Sequence, residues 1–521
     1  MMSINVDAAG GVNERIDVSA RIATILRLDP QRPGAQYLGR WETWGEMSQR
    51  VDAIDALLSA AGVGKAMPVG LITRTRPPQV AAVQAILATR RCLVPINSIA
   101  SDDLIIDDVT RLAVPALLAD DEDWARPGLI EACRRLGVLG IVLDRTSTSV
   151  RLVDGLDRVS VTADPLPGVA VLMPTSGTTG PPKRIKYRYD HINGALGRIA
   201  RYSAATARSL GGEPALRDGV VIATLALAHI SGLWGVLQAA AEGRPVALLD
   251  RFDPEKWATL IETHQAKTSS LPPATLRMVM DANIAPERLR SLVSVGCGTA
   301  PLDPALADAF TERYGVAVLV SYGATEFPGG TVGWTLEDHR AFWKSKKGSA
   351  GRPRPGIAIR IIDADTGEVL PNGVDGILSV RSPQATTEST DGWVRTTDIG
   401  HIDDDGFLWL VGRADDAINR GGFKIVPQVV EAVLREHPAV SDAAVVGVSD
   451  DRLGQVPMAA VTVTTAVEQD ELREWVRKHL ASYQVPSEIR ILGSLPRTAS
   501  LKVSKDEIRR LFAAPTQGDE R

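Results

Sequence analysis

The sequence predicts a large N-terminal α/β domain, made of layered α/β subdomains plus a β-rich subdomain, followed by a small α+β C-terminal domain. Three observations carry this reading. Apolar runs of strand length alternate with amphipathic stretches as far as about residue 410. Near residue 360 the texture changes to short apolar runs separated by turn residues. After Asp415 two helical and two strand-like stretches follow in a compact unit.

Taken in order, PVGLIT (68–73), RCLVPIN (91–97), GVAVLMP (168–174), RPVALLD (244–250) and VAVLVSYG (316–323) read as strands. PPQVAAVQAILATRR (77–91) and DPALADAFTERYG (303–315) read as helices. Val220 to Ala241 is almost wholly apolar and long enough to span a bilayer. His229, Ser231, Gly232 and Gln238 interrupt it, and a buried strand (220–229) with a turn and helix (231–243) explains both apolarity and breaks. Residues 357–383 read as a hairpin and a further strand, with Asp-Thr-Gly and Pro-Asn-Gly as turns, and 407–413 as one more strand. The stretch 414–425 is polar and glycine-rich. Beyond it come a helix (426–437), strands (440–448 and 457–464) and a helix (468–482). A boundary near Asp415 divides the chain into residues 1–413 and 414–521.

Composition excludes several function classes. The 58 basic and 63 acidic residues leave a net charge of −5, with no long basic run to bind nucleic acid. Cys92, Cys133 and Cys297 are odd in number and far apart, as reduced thiols of a cytoplasmic protein would be. No CxxC pair or zinc-like cluster exists. Met1 to Arg15 lacks the apolar core of a signal peptide, and no membrane span is expected.

The most informative segment is VLMPTSGTTGPPKRI (171–185), where an apolar strand runs into Thr175, Ser176, Gly177, Thr178, Thr179, Gly180, Pro181, Pro182 and Lys183. Glycines admit close approach of a ligand, hydroxyls and free N–H groups can surround phosphate oxygens, and Lys183 adds a cation. The spacing is not that of a Walker A loop, and no Ser or Thr follows the lysine.

This loop resembles the signature loop of the adenylate-forming superfamily, which includes acyl-CoA synthetases and luciferases. Further segments match in order: ALAHISG (226–232), GCGTAPL (296–302), SYGATE (321–326), GSAGRPRPG (348–356), WVRTTDIG (393–400), GRADDAINRGGFKIVP (412–427) and LPRTASLKVSK (495–505).

The resemblance implies ATP and Mg²⁺ as ligands, coenzyme A as co-substrate, and a mobile small domain turning about a hinge at Asp415. It places the β- and γ-phosphates on Thr175–Lys183, adenine near Gly298, Thr299, Ala300 and Gly323 and stacked on Tyr322, and the ribose on Asp398. Thr325 would touch the α-phosphate, Glu326 would bind Mg²⁺, and Arg413 would add charge near the ribose and phosphates. Lys502 would be the catalytic lysine, bridging the substrate carboxylate and the α-phosphate. His229 would stand between acid and adenylate, positioning them without proton transfer. Gly421 and Gly422 would line the pantetheine tunnel, with Arg420 and Lys424 near the CoA phosphates. Leu501, Val429, Gln455 and Gln484 depart from the family pattern, where Gly, Glu, Glu and Lys are usual, and Thr397 replaces a glycine.

The acid pocket would be walled by Ile230, Leu233, Trp234, Val295, Gly296, Cys297 and Phe327, which are apolar or small. The stretch 228–235 holds no acidic residue to pair a substrate ammonium, which disfavours α-amino acids. An aryl or aliphatic carboxylic acid fits. The expected enzyme is an AMP-forming acid–thiol ligase. Transfer to a separate carrier-protein thiol or to an amine stays open, as do a homodimer and a nucleotide-binding relic without turnover.

Overall fold

The computed structural model describes residues 16–174, 183–202, 204–387, 389–498 and 502–513. Five sheets organise the described residues. The first has seven strands, and at its centre Pro68–Thr73 lies between Cys92–Asn97 and Ala116–Asp120, all parallel. Pro68–Thr73 is buried at every position, so both its faces carry apolar side chains. Helix Pro77–Ala88 follows, opened by proline at its first turn and buried on all sides in the largest core.

A four-stranded sheet joins Val221–Ala223 and Val246–Leu248 to Pro33–Tyr37 and Arg40–Thr43. Buried ion pairs tie these two sheets: Arg76 holds Asp120 and Asp250, each at 2.7 Å. The third sheet runs Thr268–Ser270, Ser294–Cys297 and Ala317–Tyr322 in parallel, then two short antiparallel strands. Helix Pro304–Tyr314 packs against it, capped by Asp303 and closed by left-handed Gly315. The fourth is an antiparallel sheet from Ala358–Ile362 to Leu408–Arg413. The small domain is a fifth sheet. Helices Pro427–Arg435 and Gln469–His479 cover one of its faces, and Lys505–Ala513 covers the other. Ala443 and Val445 point into one core while Ala444 and Val446 point into the other.

Three segments differ from expectation. The strand expected over 220–229 is confined to Val221–Ala223. Helix Ile230–Glu242 folds back so closely that a Cβ on Gly232 would lie 2.2 Å from the Ala226 carbonyl oxygen. In 357–383 the two turns fall within one long connection between Ala358–Ile362 and Gly376–Arg381, which pair directly. The polar stretch 414–425 contains a hairpin of Ile418–Arg420 and Phe423–Ile425. Among the described residues no helix is long and apolar enough to cross a membrane.

Candidate functional site

Strand Ala317–Tyr322 carries Tyr322 at its C-terminal end. The Tyr322 hydroxyl donates to Asp398 Oδ2 at 2.5 Å. Burial, then the Asp398 charge, raises the proton affinity of that hydroxyl. Asp398 lies opposite Arg413 across the sheet, with Arg413 Nη1 at 3.6 Å from Asp398 Oδ1. Arg413 also grips Asp415 through two hydrogen bonds of 2.9 and 2.7 Å. The guanidinium expected beside ribose and phosphates is thus shared with the residue expected to be the hinge.

Lys502 reaches this cluster from the small domain. Thr498 N donates to its carbonyl at 2.7 Å, and Arg497 pairs with Val503 as an isolated antiparallel bridge. Burial and then Arg413 lower the proton affinity of its ammonium, while Asp398 opposes them. His229 caps helix Ile230–Glu242 without a side-chain capping bond. Its imidazole is pushed down to about 4, first by burial and then by the Lys502 charge. It is neutral near pH 7, and Nε2 is buried with no hydrogen-bond partner among the described residues. Tyr322, Asp398, Arg413, Lys502 and His229, drawn from sequence positions 229 to 502, therefore share one electrostatic environment.

The neighbouring backbone is shaped for close approach. Thr299 follows Ser294–Cys297 with φ of +70°, an outlier for a β-branched residue and worth about 1–3 kcal/mol of strain. A Cβ on Gly298 would sit 2.8 Å from Ser321 Oγ, and one on Gly323 would sit 3.1 Å from Gly330 Cα. Ala300 continues the turn, half-buried. Residues without spacing signals hold Thr325 and Glu326. The buried Tyr187 hydroxyl donates to the Thr325 carbonyl, and Thr386 donates to the Glu326 carbonyl from its N–H (2.9 Å) and hydroxyl (3.1 Å).

Thr175, Ser176, Gly177, Thr178, Thr179 and Gly180 lie outside the described residues, as does Leu501. The ends of that loop are fixed. Pro174 pairs with Arg184 across antiparallel strands, and Arg184 donates to the carbonyls of Pro95 (2.8 Å) and Leu172 (3.1 Å). Lys183, beside Arg184, is exposed.

The expected wall divides. Ile230 and Trp234 are half-buried on helix Ile230–Glu242, but Leu233 is in the main core. Val295 and Cys297 share the strand face that packs into the second core, so only Gly296 faces the other way. Burial raises the Cys297 thiol to about 12, and this cysteine acts as a small hydrophobe. Phe327 belongs to the core of the fourth sheet.

The Gly421–Gly422 pair occupies the two-residue turn of the 418–425 hairpin at φ of +56° and +90°. A type I′ turn requires positive φ at both positions. Arg420 Nη1 donates to the carbonyls of Tyr483 (2.7 Å) and Val485 (3.3 Å), which draws this cation into the loop structure.

A large α/β body and a small domain, with one carboxylate, one tyrosine and two cations in one electrostatic environment, define a two-domain architecture. Residues 25–388 match the family model "AMP-binding enzyme", and 429–502 match "AMP-binding enzyme C-terminal domain". The chain belongs to the AMP-binding enzyme family. It is 31% identical over 511 residues to the 2-succinylbenzoate–CoA ligase of Geobacillus kaustophilus, covering 94% of this chain and 97% of that one. Among solved structures it resembles the o-succinylbenzoate CoA synthetase of Bacillus subtilis in complex with its acyl-adenylate intermediate, with a TM-score of 0.75, 26% identity, and 94% and 98% of the two chains covered. It resembles an amide bond synthetase from Marinactinospora thermotolerans similarly, with a TM-score of 0.76, 26% identity, and 95% and 99% covered.

Proposed function

We propose that this chain activates an organic carboxylic acid with ATP, forming an acyl-adenylate and pyrophosphate, and passes the acyl group to coenzyme A. The observation that carries the proposal is Lys502, a half-buried ammonium of the small domain that shares its electrostatic environment with Asp398, Arg413 and His229 of the large one. A carboxylate must approach a polyanion. Two unit charges 4 Å apart repel by about 4 kcal/mol at an effective dielectric near 20. Lys502 would cancel that repulsion as a carboxylate oxygen attacks the α-phosphorus and pyrophosphate departs. His229, neutral and with Nε2 unpartnered, would orient the acid.

Asp398, held by Tyr322, would accept the ribose hydroxyls, and Thr325 and Glu326 would face the phosphates on carbonyls fixed by Tyr187 and Thr386. No group of three or more metal-ligating side chains forms among the described residues. A magnesium ion held by Glu326 and phosphate oxygens suits its preference for few carboxylates, and when bound it would neutralise phosphate charge. In the second step a thiolate would attack the acyl carbon and AMP would leave. We assign residues 1–413 to the large domain and 414–521 to a lid turning at Asp415, and we place the enzyme in the cytoplasm.

A second reading has its own support. Arg420, a cation expected for CoA phosphates, is engaged on two backbone carbonyls, and one structural relative is an amide bond synthetase. An amine or a carrier-protein thiol is the alternative acceptor. A panel of aryl and aliphatic acids with ATP and Mg²⁺, followed by pyrophosphate release and then by mass spectrometry with and without CoA, tests both. Thioester formation supports the first reading. Adenylate without CoA consumption supports the second. Lys502→Ala should cut acid-dependent pyrophosphate release about 10³-fold while ATP still binds. Unchanged release removes the lysine from the reaction.

A further inference from the structure

Helix Ile230–Glu242 is apolar over most of its surface, yet Trp234, Gln238 and Glu242 stand on it at successive intervals of four. That spacing stacks them on one stripe. The Trp234 indole N–H donates to Gln238 Oε1 at 3.2 Å, and Gln238 Nε2 donates to Glu242 Oε1 at 2.8 Å. The direction of this ladder is set by chemistry. An ionised carboxylate only accepts, so the amide must turn its NH₂ towards Glu242 and its oxygen towards the indole. Glu242 is only 3% exposed, a costly place for a carboxylate, but Arg244 Nη1 lies 3.6 Å away and Arg21 feels its charge.

The same side of the indole makes a second contact. Next to the N–H held by Gln238, Trp234 Cζ2 faces the Phe327–Gly330 turn, where a Cβ on Gly329 would lie 3.6 Å from it. That turn packs in its next residue against Gly323, beside Tyr322. The ring is therefore a fixed, donor-free plane one helical stretch beyond His229.

We propose that Gln238 and Glu242 are positioning residues for specificity. Acting through Trp234, they set the plane of the wall against which the acid's hydrocarbon part lies, and so favour a flat aryl acid over a flexible aliphatic one. The inference rests on the reading that the chain adenylates an acid. A held ring offers one face for offset or edge-on stacking, worth a factor of about 2 to 12 for an aromatic partner. A free ring would adapt to a chain and lose that preference.

The test compares kcat/KM for benzoate and hexanoate in pyrophosphate release by the full-length chain. It also follows the indole N–H signals of ¹⁵N-tryptophan-labelled protein. Wild type should prefer benzoate. Gln238→Leu and Glu242→Leu should shift one indole N–H signal and raise the KM for benzoate about 5-fold, with kcat and the KM for ATP within 2-fold, so that the preference falls. Glu242→Gln keeps an acceptor and should retain the preference. Should Gln238→Leu fail to fold, Trp234→Phe, which removes the N–H and leaves a ring, is expected to lower the preference in the same way. A shifted indole signal with an unchanged ratio overturns the inference, as does a wild-type preference for hexanoate. Pyrophosphate release with no acid of the wider panel overturns the functional reading itself, and the inference with it.

Discussion

Gly412 is the penultimate residue of strand Leu408–Arg413, while Val426 caps the small domain's first helix and Gln428 lies in its first turn. A Cβ at Gly412 would lie 2.3 Å from Val426 Cγ1 and 2.7 Å from Gln428 Oε1. Gly412 does not have a positive φ, so its backbone accepts alanine. The conflict is confined to the contact between domains. Overpacking of this kind costs about 1–3 kcal/mol, which corresponds to a loss of about 5- to 150-fold in the population of this domain arrangement. In this arrangement the Lys502 ammonium feels the charges of Asp398 and Arg413. Gly412→Ala should therefore slow the first half-reaction by that factor. On the proposed hinge at Asp415, thioester formation from a pre-formed acyl-adenylate would use the turned lid, and its rate should stay level or rise. Single-turnover pyrophosphate release and CoA acylation by synthetic adenylate measure the two separately, with thermal melting as the control. Equal slowing of both steps, or a drop in Tm with their ratio unchanged, would refute the reasoning.

Two further outcomes follow from the site. The His229 imidazole should titrate near pH 4 by NMR, below the usual value of 6.5, and should move upward in Lys502→Ala because one of the two causes of its depression is gone. Between pH 6.5 and 4 the unfolded chain binds this proton and the folded one does not, so the contribution of His229 to stability is lost as pH falls through that window. Tyr187→Phe leaves the Thr325 carbonyl without its hydroxyl donor. It should cost about 1–3 kcal/mol in denaturant unfolding and slow pyrophosphate release more than it weakens ATP binding.

What was legible in the sequence follows from what the chemistry demands of residue type. A phosphate loop needs glycines and hydroxyls, and Lys502, Asp398 and Tyr322 stood in segments whose order along the chain matched a family. The structure brings the last three together. The wall was harder to read. Ser294–Cys297 is a central strand of a parallel arrangement, with apolar residues required on both faces, so no alternation revealed that Val295 and Cys297 pack into the second core. Tyr187 and Thr386 act on backbone carbonyls 138 and 60 residues away, and a hydroxyl-to-carbonyl bond leaves no periodicity to find. The strand expected over 220–229 is shorter in the structure because the close contact of Gly232 with Ala226 is tertiary.

Gly421 and Gly422 show how one pattern can serve two physical demands. The family resemblance explains them by passage of a thiol, and the hairpin explains them by positive φ at both turn positions. The two explanations separate on one substitution. Asparagine is the side chain best tolerated at the first position of a type I′ turn, and a Cβ at Gly421 would meet only the end of Leu453, 3.3 Å away. Gly421→Asn should therefore keep the fold, the Tm and the adenylation rate. If the turn alone requires glycine, thioester formation from synthetic adenylate will also be unchanged. A selective fall of tenfold or more in that step, about 1.4 kcal/mol, means that the missing side chain serves the acceptor. A fall in Tm with both steps affected would refute the assignment of a type I′ turn itself.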